Sequence, residues 1–189
     1  MEGVHLRRSV RPASRWVAAL LAALALCGAW VSSALAGSHF LGNASVDSGE
    51  IRYEDSTTYD GARTNAIRVW NALGSIDILP DDAGHICDLE TRDVNSASFD
   101  WLGYWLPVLL GADTLRMNTY RLNQVTPASE RSDTLRHVMA HEFGPALGLG
   151  NHDNVSWHYT SLMFHETCNP CNYVQSPLAH DRTDYNTLW

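Results

Sequence analysis

The chain has 189 residues, of which 13 are Lys or Arg and 21 are Asp or Glu, giving a net charge of −8 at pH 7. An acidic surface repels nucleic-acid phosphates and anionic membranes, which argues against both as partners. The length is sufficient for one domain with a hydrophobic core of its own.

The N-terminus has the three regions of a secretory signal peptide. Four arginines precede an apolar run over residues 16–30, and Ala34 and Ala36 form a small-x-small cleavage pattern. We therefore expect residues 1–36 to be removed and residues 37–189 to be secreted as an extracellular monomer. This mature part has nine basic and twenty acidic residues, a net charge of −11, and no apolar stretch of membrane length.

Small and polar residues predict a loose segment over 37–49, followed by a folded domain over 50–189. The first half of that domain predicts one helix and short strands. Apolar residues recur at helical spacing from Asp60 to Leu73, and Gly74 closes the helix. Short apolar runs predict strands at residues 51–54, 76–79 and 87–94.

The second half mixes strands and helices. Residues 96–111 are aromatic and indicate a loop, whereas regular alternation over 113–123 predicts a strand. A helix is expected to begin near Thr134 and to end at Gly148, and a last helix is expected over 182–188. Because the two element types do not strictly alternate, the sequence favours an α+β fold with an irregular C-terminal part.

Three cysteines follow the signal peptide: Cys87, Cys168 and Cys171. An oxidising compartment favours one disulfide and leaves one thiol over. The C-N-P-C spacing of the last two is weak evidence for a metal or redox motif, so we expect a loop disulfide to Cys87. The exact pairing stays open.

The segment from His141 to Asp153 has the sequence HEFGPALGLGNHD and contains the candidate metal-binding and catalytic residues. On a helix, histidines at positions i and i+4 can hold one zinc ion together, but the position four after His141 is Pro145. Glu142 is placed to take a proton from zinc-bound water and pass it to a leaving amine. Gly148 lets the chain turn so that a third ligand returns to the metal.

The stretches HVMAHEFG and ALGLG, with Ser-Leu-Met at 161–163, resemble the metzincin clan of zinc endopeptidases, and within it the matrixin and snapalysin-like families. The resemblance implies a mixed five-stranded sheet, an active-site helix and a cleft in which peptide lies along an edge strand. It also implies Zn²⁺ as cofactor, Glu142 as general base and Met163 as a floor beneath the metal.

Pro145 departs from the family pattern, because it cannot bind zinc. It also lacks the N–H that would bond the carbonyl of His141, which costs roughly 3 kcal/mol in a helix interior. We therefore expect a lost ligand and a kinked helix.

The third ligand position holds Asn151, a poor zinc ligand, so His152 is the preferred candidate and Asp153 the next. His137 lies one helical turn before His141 and could replace the missing ligand. The remaining C-terminal histidines are expected to be ordinary surface residues: His158, His165 and His180.

These residues support two hypotheses. The first is a secreted zinc metalloendopeptidase with Glu142 as catalytic base and zinc held by His141 and His152, hydrolysing a peptide or protein substrate. The alternative is an inactive metzincin fold that binds peptide or protein in its cleft, for which Pro145 is the supporting feature.

Overall fold

The computed structural model describes residues 39–125, 127–152, 161–164 and 174–189, all within one unit that spans 38–189. The expected signal peptide lies outside these residues, and so do Asp153, His158, His165, Cys168 and Cys171. Within the described ranges, no helix is long and apolar enough to cross a membrane.

The centre of the fold is a five-stranded mixed sheet in the order β2-β1-β3-β5-β4. Neighbouring strands are parallel except β4, which lies at the edge and pairs antiparallel with β5. The predicted α+β class with a mixed five-stranded sheet is confirmed. The strands are β1 (Glu50–Ser56), β2 (Asp77–Pro80), β3 (Leu89–Val94), β4 (Gly103–Leu106) and β5 (Asp113–Asn118).

Two long helices pack against each other and against the sheet: α1 (Asp60–Asn71) and α3 (Arg131–Ala146). The indole N–H of Trp70 on α1 donates to the carbonyl of Ala140 on α3 over 2.8 Å, and Trp70 is fully buried in the core. A polar bond inside an apolar interface fixes how the two helices lie against each other, because an unmade bond there is costly. The short helix α2 (Thr119–Leu122), a single 3₁₀ turn (Ala128–Glu130) and the C-terminal helix α4 (Ala179–Leu188) complete the described fold.

The last turn of α3 accommodates Pro145, and the helix continues to Ala146. Gly148 then adopts a left-handed conformation with φ 85°. Its N–H bonds the carbonyl of Pro145, and the N–H of Leu149 bonds that of Gly144, which together form a Schellman cap. The expected kink therefore has little room to develop, because Pro145 lies one residue before the end of the helix.

Two sequence predictions between β3 and α3 were wrong. Residues 96–111, predicted to form a loop, contain edge strand β4. The predicted strand over 113–123 ends at Asn118, and α2 begins at the next residue. Buried Asn118 ends the strand, since its side-chain amide donates to the carbonyls of Ser96 and Trp101. The alternation of polar and apolar side chains along the chain does not predict such a long-range contact.

The segment before β1, expected to be loose, is bonded to the end of α3 in the structure. The N–H of Leu41 donates to Gly148 and that of Ser45 to Ala146, over 2.9 and 2.7 Å. The terminal carbonyls of a helix have no partner within the helix, so a neighbouring chain segment can satisfy them.

Cys87 is a free, half-buried thiol whose Sγ donates weakly to the carbonyl of Leu89 over 3.6 Å. The expected disulfide to Cys87 is therefore not formed in the structure. Burial raises the pKa of this thiol. A buried thiol in apolar surroundings is less reactive than an exposed one.

Candidate active-site cleft and histidine cluster

A cleft of 610 Å³ lies between helix α3 and edge strand β4. His137, His141 and Glu142 line it from the helix. The two walls approach closely at Gly103, where a Cβ would come within 2.8 Å of the side chains of Val138 and Glu142. Glycine at this position therefore allows the edge strand to lie directly over helix α3.

His141 is nearly buried, and its orientation is fixed by the segment 161–164. Its Nδ1 lies 2.8 Å from the carbonyl oxygen of Leu162. Since a carbonyl can only accept, Nδ1 carries a hydrogen, which leaves Nε2 as the ring nitrogen that can bind a metal. This is the tautomer that metal-binding histidines adopt when a backbone carbonyl orients them.

Glu142 is held by the edge strand. Its Oε2 accepts a hydrogen bond of 3.0 Å from the backbone N–H of Trp105 on β4. The indole of Trp105 donates in turn to Ser45, whose hydroxyl donates to Asp113. This chain of hydrogen bonds fixes one carboxylate oxygen of Glu142 at the cleft.

His137 also lines the cleft, one turn before His141. Its Nδ1 donates to the carbonyl of Val174 over 2.7 Å, and its ring centroid lies 6.0 Å from that of His141. Burial, followed by the neighbouring His141, lowers the pKa of His137 to about 4. The ring is therefore neutral at physiological pH and has its lone pair on Nε2.

Asn151 and His152 have different surroundings. Exposed Asn151 lines the cleft together with Pro145. His152 is 1% exposed and is absent from the described lining of the cleft. Its backbone N–H bonds the carbonyl of Met163 over 2.8 Å, which turns its side chain toward the C-terminal helix. Metal binding by His141 and His152 stays a prediction, but the structure does not bring the two rings to the cleft together.

Met163 is fully buried against Gly144 of α3. A Cβ at Gly144 would collide with its Sδ. The segment 161–164 therefore packs directly against the helix that carries His141 and Glu142, and a role of Met163 as a floor beneath a metal stays a prediction.

His152 belongs to a second cluster, with His39, His180 and Asp184. The cluster is a group of side chains that could hold a metal ion. Burial is the main cause that lowers the pKa of His152 and of His180, which favours the neutral, metal-binding form of both rings.

The sequence prediction for His180 was wrong, because this residue is half-buried in the cluster rather than an ordinary surface histidine. The spacing of His180 and Asp184 was an available signal, since residues four apart share a helix face. No local signal pointed to His39, which lies before the first strand.

No protein-family model matches the chain, and no curated protein sequence matches it. The chain shares its fold with a chain of the ECX AB5 holotoxin, solved in its GM1-bound form. That overlay has a TM-score of 0.55 at 15% identity and covers 75% of this chain and 80% of the other.

Two more solved structures are less similar. A hatching-enzyme zinc protease from Oryzias latipes gives a TM-score of 0.45 at 16% identity, covering 74% of this chain and 88% of its own. Archaemetzincin from Archaeoglobus fulgidus, complexed with malonate, gives 0.43 at 11%, covering 71% and 99%. Both TM-scores are too low to support an argument about this chain.

Proposed function

We propose that the protein is a secreted zinc-dependent endopeptidase that hydrolyses peptide bonds in the cleft between α3 and β4. One observation carries the proposal: His141 and Glu142, adjacent on α3, both face this cleft, and Glu142 is hydrogen-bonded to its opposite wall. A candidate metal ligand, His141, and a candidate base, Glu142, thus lie side by side next to edge strand β4.

The donor set of the cleft fits a zinc ion. His137 and His141 are four residues apart on one helix, and a backbone carbonyl holds Nδ1 of each ring. Neutral imidazoles oriented in this way are good zinc ligands. We therefore propose His137 as the partner of His141 in the cleft, with the weaker amide oxygen of Asn151 beside them. When bound, the zinc ion would polarise the scissile carbonyl and lower the pKa of a bound water.

Glu142 is the proposed general base. Its Oε2 is held by the N–H of Trp105, so the carboxylate keeps a fixed direction relative to the edge strand. A base oriented in this way can accept a proton from the attacking water and deliver it to the leaving amine.

Strand β4 is the proposed substrate platform. Among the described residues it pairs with β5 on one side only, and an extended peptide can add to such an edge as a further strand. Phe99, Trp101 and Tyr104 form a row of stacked rings with centroid spacings of 5.0 and 5.8 Å, and the last two line the cleft. Partly exposed aromatic rings at that place favour apolar side chains in the substrate.

Replacement of Glu142 tests the proposal. With casein as substrate, Glu142→Gln should lower turnover by roughly 10²- to 10⁴-fold, because it removes the base, and should leave zinc content unchanged. Glu54→Gln, at an exposed position of β1, is the matched control and should retain full activity. Equal activity of both variants and the wild type would show that hydrolysis occurs elsewhere.

Pro145→His tests whether residue 145 faces a metal bound by His141. The change supplies an imidazole at the family position, so zinc affinity measured by equilibrium dialysis should rise by at least tenfold. An unchanged affinity would mean that residue 145 does not face the metal.

A second candidate function follows from Pro145, which occupies the cleft at the family's second ligand position. The protein would then bind peptide without cleaving it. In that case the wild type and Glu142→Gln would bind a casein-derived peptide equally, and neither would cleave it.

A further inference from the structure

Four ligand atoms converge in the second cluster. Oδ2 of Asp184 lies 3.1 Å from Nδ1 of His39, 3.1 Å from Nε2 of His152 and 3.4 Å from Nε2 of His180. Nε2 of His180 lies 3.2 Å from Nδ1 of His39. All four ligand atoms lie within 4.8 Å of one another.

These spacings match a tetrahedral zinc site. Zinc–nitrogen and zinc–oxygen bonds of about 2.0–2.1 Å place tetrahedral ligands about 3.3 Å apart. Four of the six ligand pairs lie within 0.2 Å of that value, and three imidazoles with one carboxylate form a donor set that suits zinc better than Ca²⁺ or Mg²⁺.

The hydrogen bonds behind His152 fix its tautomer. The hydroxyl of Ser161 donates its only hydrogen to Oδ1 of Asp181 over 2.6 Å, because a carboxylate can only accept. Ser161 Oγ must therefore accept from Nδ1 of His152, 2.5 Å away. Nε2 is then the ring nitrogen directed at the cluster, and it lies 3.1 Å from Oδ2 of Asp184. At this spacing one metal ion can be bound by both atoms.

We propose that His39, His152, His180 and Asp184 bind one Zn²⁺ in a structural site separate from the catalytic cleft. Four protein ligands are the composition of a closed structural site, whereas a catalytic zinc keeps one position open. Ser161 and Asp181 are the outer groups that orient the His152 ring. The proposal does not depend on peptidase activity, because it uses neither His141 nor Glu142.

The metal would join three segments that are distant in sequence. His39 precedes the first strand, His152 follows the cap of α3, and His180 and Asp184 lie on α4. Residues 161–164 connect this site to the cleft, since Ser161 orients His152 and the carbonyl of Leu162 orients His141. The site would thereby stabilise the floor of the cleft.

Metal content of the purified protein tests the site. After zinc loading and dialysis, His39→Ala and His180→Ala should each lose one equivalent of zinc per chain, measured by mass spectrometry of the metal. His85→Ala, an exposed histidine outside the cluster, is the matched control and should lose none. His141→Ala should also keep this equivalent, which distinguishes the structural site from the proposed catalytic one.

Cobalt gives a second measurement that reports ligand geometry. Co²⁺ bound to the wild type and to His141→Ala should show the intense visible absorption of tetrahedral coordination, which should be lost in His39→Ala. Because His39 is 36% exposed at the start of the described chain, its replacement should leave the far-ultraviolet circular dichroism unchanged. Ser161→Ala should keep the ligands but weaken zinc binding about 10- to 100-fold.

The proposal would be overturned by equal zinc content in the wild type, His39→Ala and His180→Ala. Loss of all zinc in His141→Ala alone would overturn it too, and would leave the catalytic proposal intact. Loss of zinc in His85→Ala as well would show non-specific binding and count against the site.

Discussion

Asp181 is expected to be the most sensitive single position beneath the cleft. It is fully buried, and its carboxylate accepts bonds from the Ser161 hydroxyl and from the backbone N–H groups of Leu162, Met163 and Leu178, at distances of 2.6 to 3.2 Å. Asp181→Asn keeps the shape but replaces one acceptor oxygen with an NH₂ group. That group would face atoms that themselves donate, so at least one buried donor loses its partner.

The structure allows the cost to be estimated. An unsatisfied buried donor costs about 1–3 kcal/mol, and the remaining bonds lose the contribution of the charge. Together these terms predict a loss of about 3 kcal/mol in the free energy of unfolding. For a domain of this size, that corresponds to a decrease in Tm of roughly 6–12 °C.

Thermal and guanidinium unfolding followed by circular dichroism would measure the loss, with EDTA present so that metal binding makes no contribution. Asp77→Asn is the matched control, because Asp77 is exposed on β2 and its replacement should change stability by less than about 0.5 kcal/mol. A loss of under about 1 kcal/mol for Asp181→Asn would refute the claim that Asp181 organises residues 161–164.

Two further predictions concern α3. Gly144→Ala should destabilise the protein by about 1–2 kcal/mol, because its Cβ would collide with Met163. Adding Met163→Ala to that variant should relieve most of the cost. Strictly additive losses of stability in a double-mutant cycle would contradict the contact. Burial lowers the pKa of His137 from 6.5 to about 4. Between pH 6.5 and pH 4 the unfolded chain therefore binds more protons than the native chain. The free energy of unfolding should fall as the pH decreases through that range. In metal-free protein this linkage contributes about 2 kcal/mol between pH 7.5 and pH 5, and His137→Gln should lose that part of the pH dependence. Parallel pH profiles of the two proteins would show that His137 is not desolvated.

The sequence by itself determined the elements whose signal is local. The helical spacing of apolar residues was sufficient for α1, and the contiguous HEFG motif was sufficient to place His141 and Glu142 side by side on α3. Gly148 was identified as the helix end because the left-handed conformation of a cap favours glycine. Each of these features depends on neighbours within a few residues.

Tertiary structure alone decided the rest. Edge strand β4 lies in a stretch that looked like an aromatic loop, and it becomes a strand through pairing with β5. The direction of the His152 ring depends on backbone pairing with Met163, and its partner Asp184 comes 32 residues later in the chain. His39 and Asp184 are 145 residues apart, and they meet because the N-terminal segment and the end of α4 both contact the end of α3. Side chains that are brought together by long-range packing leave no periodic or local pattern in the sequence, so the histidine cluster could be recognised only in the folded chain.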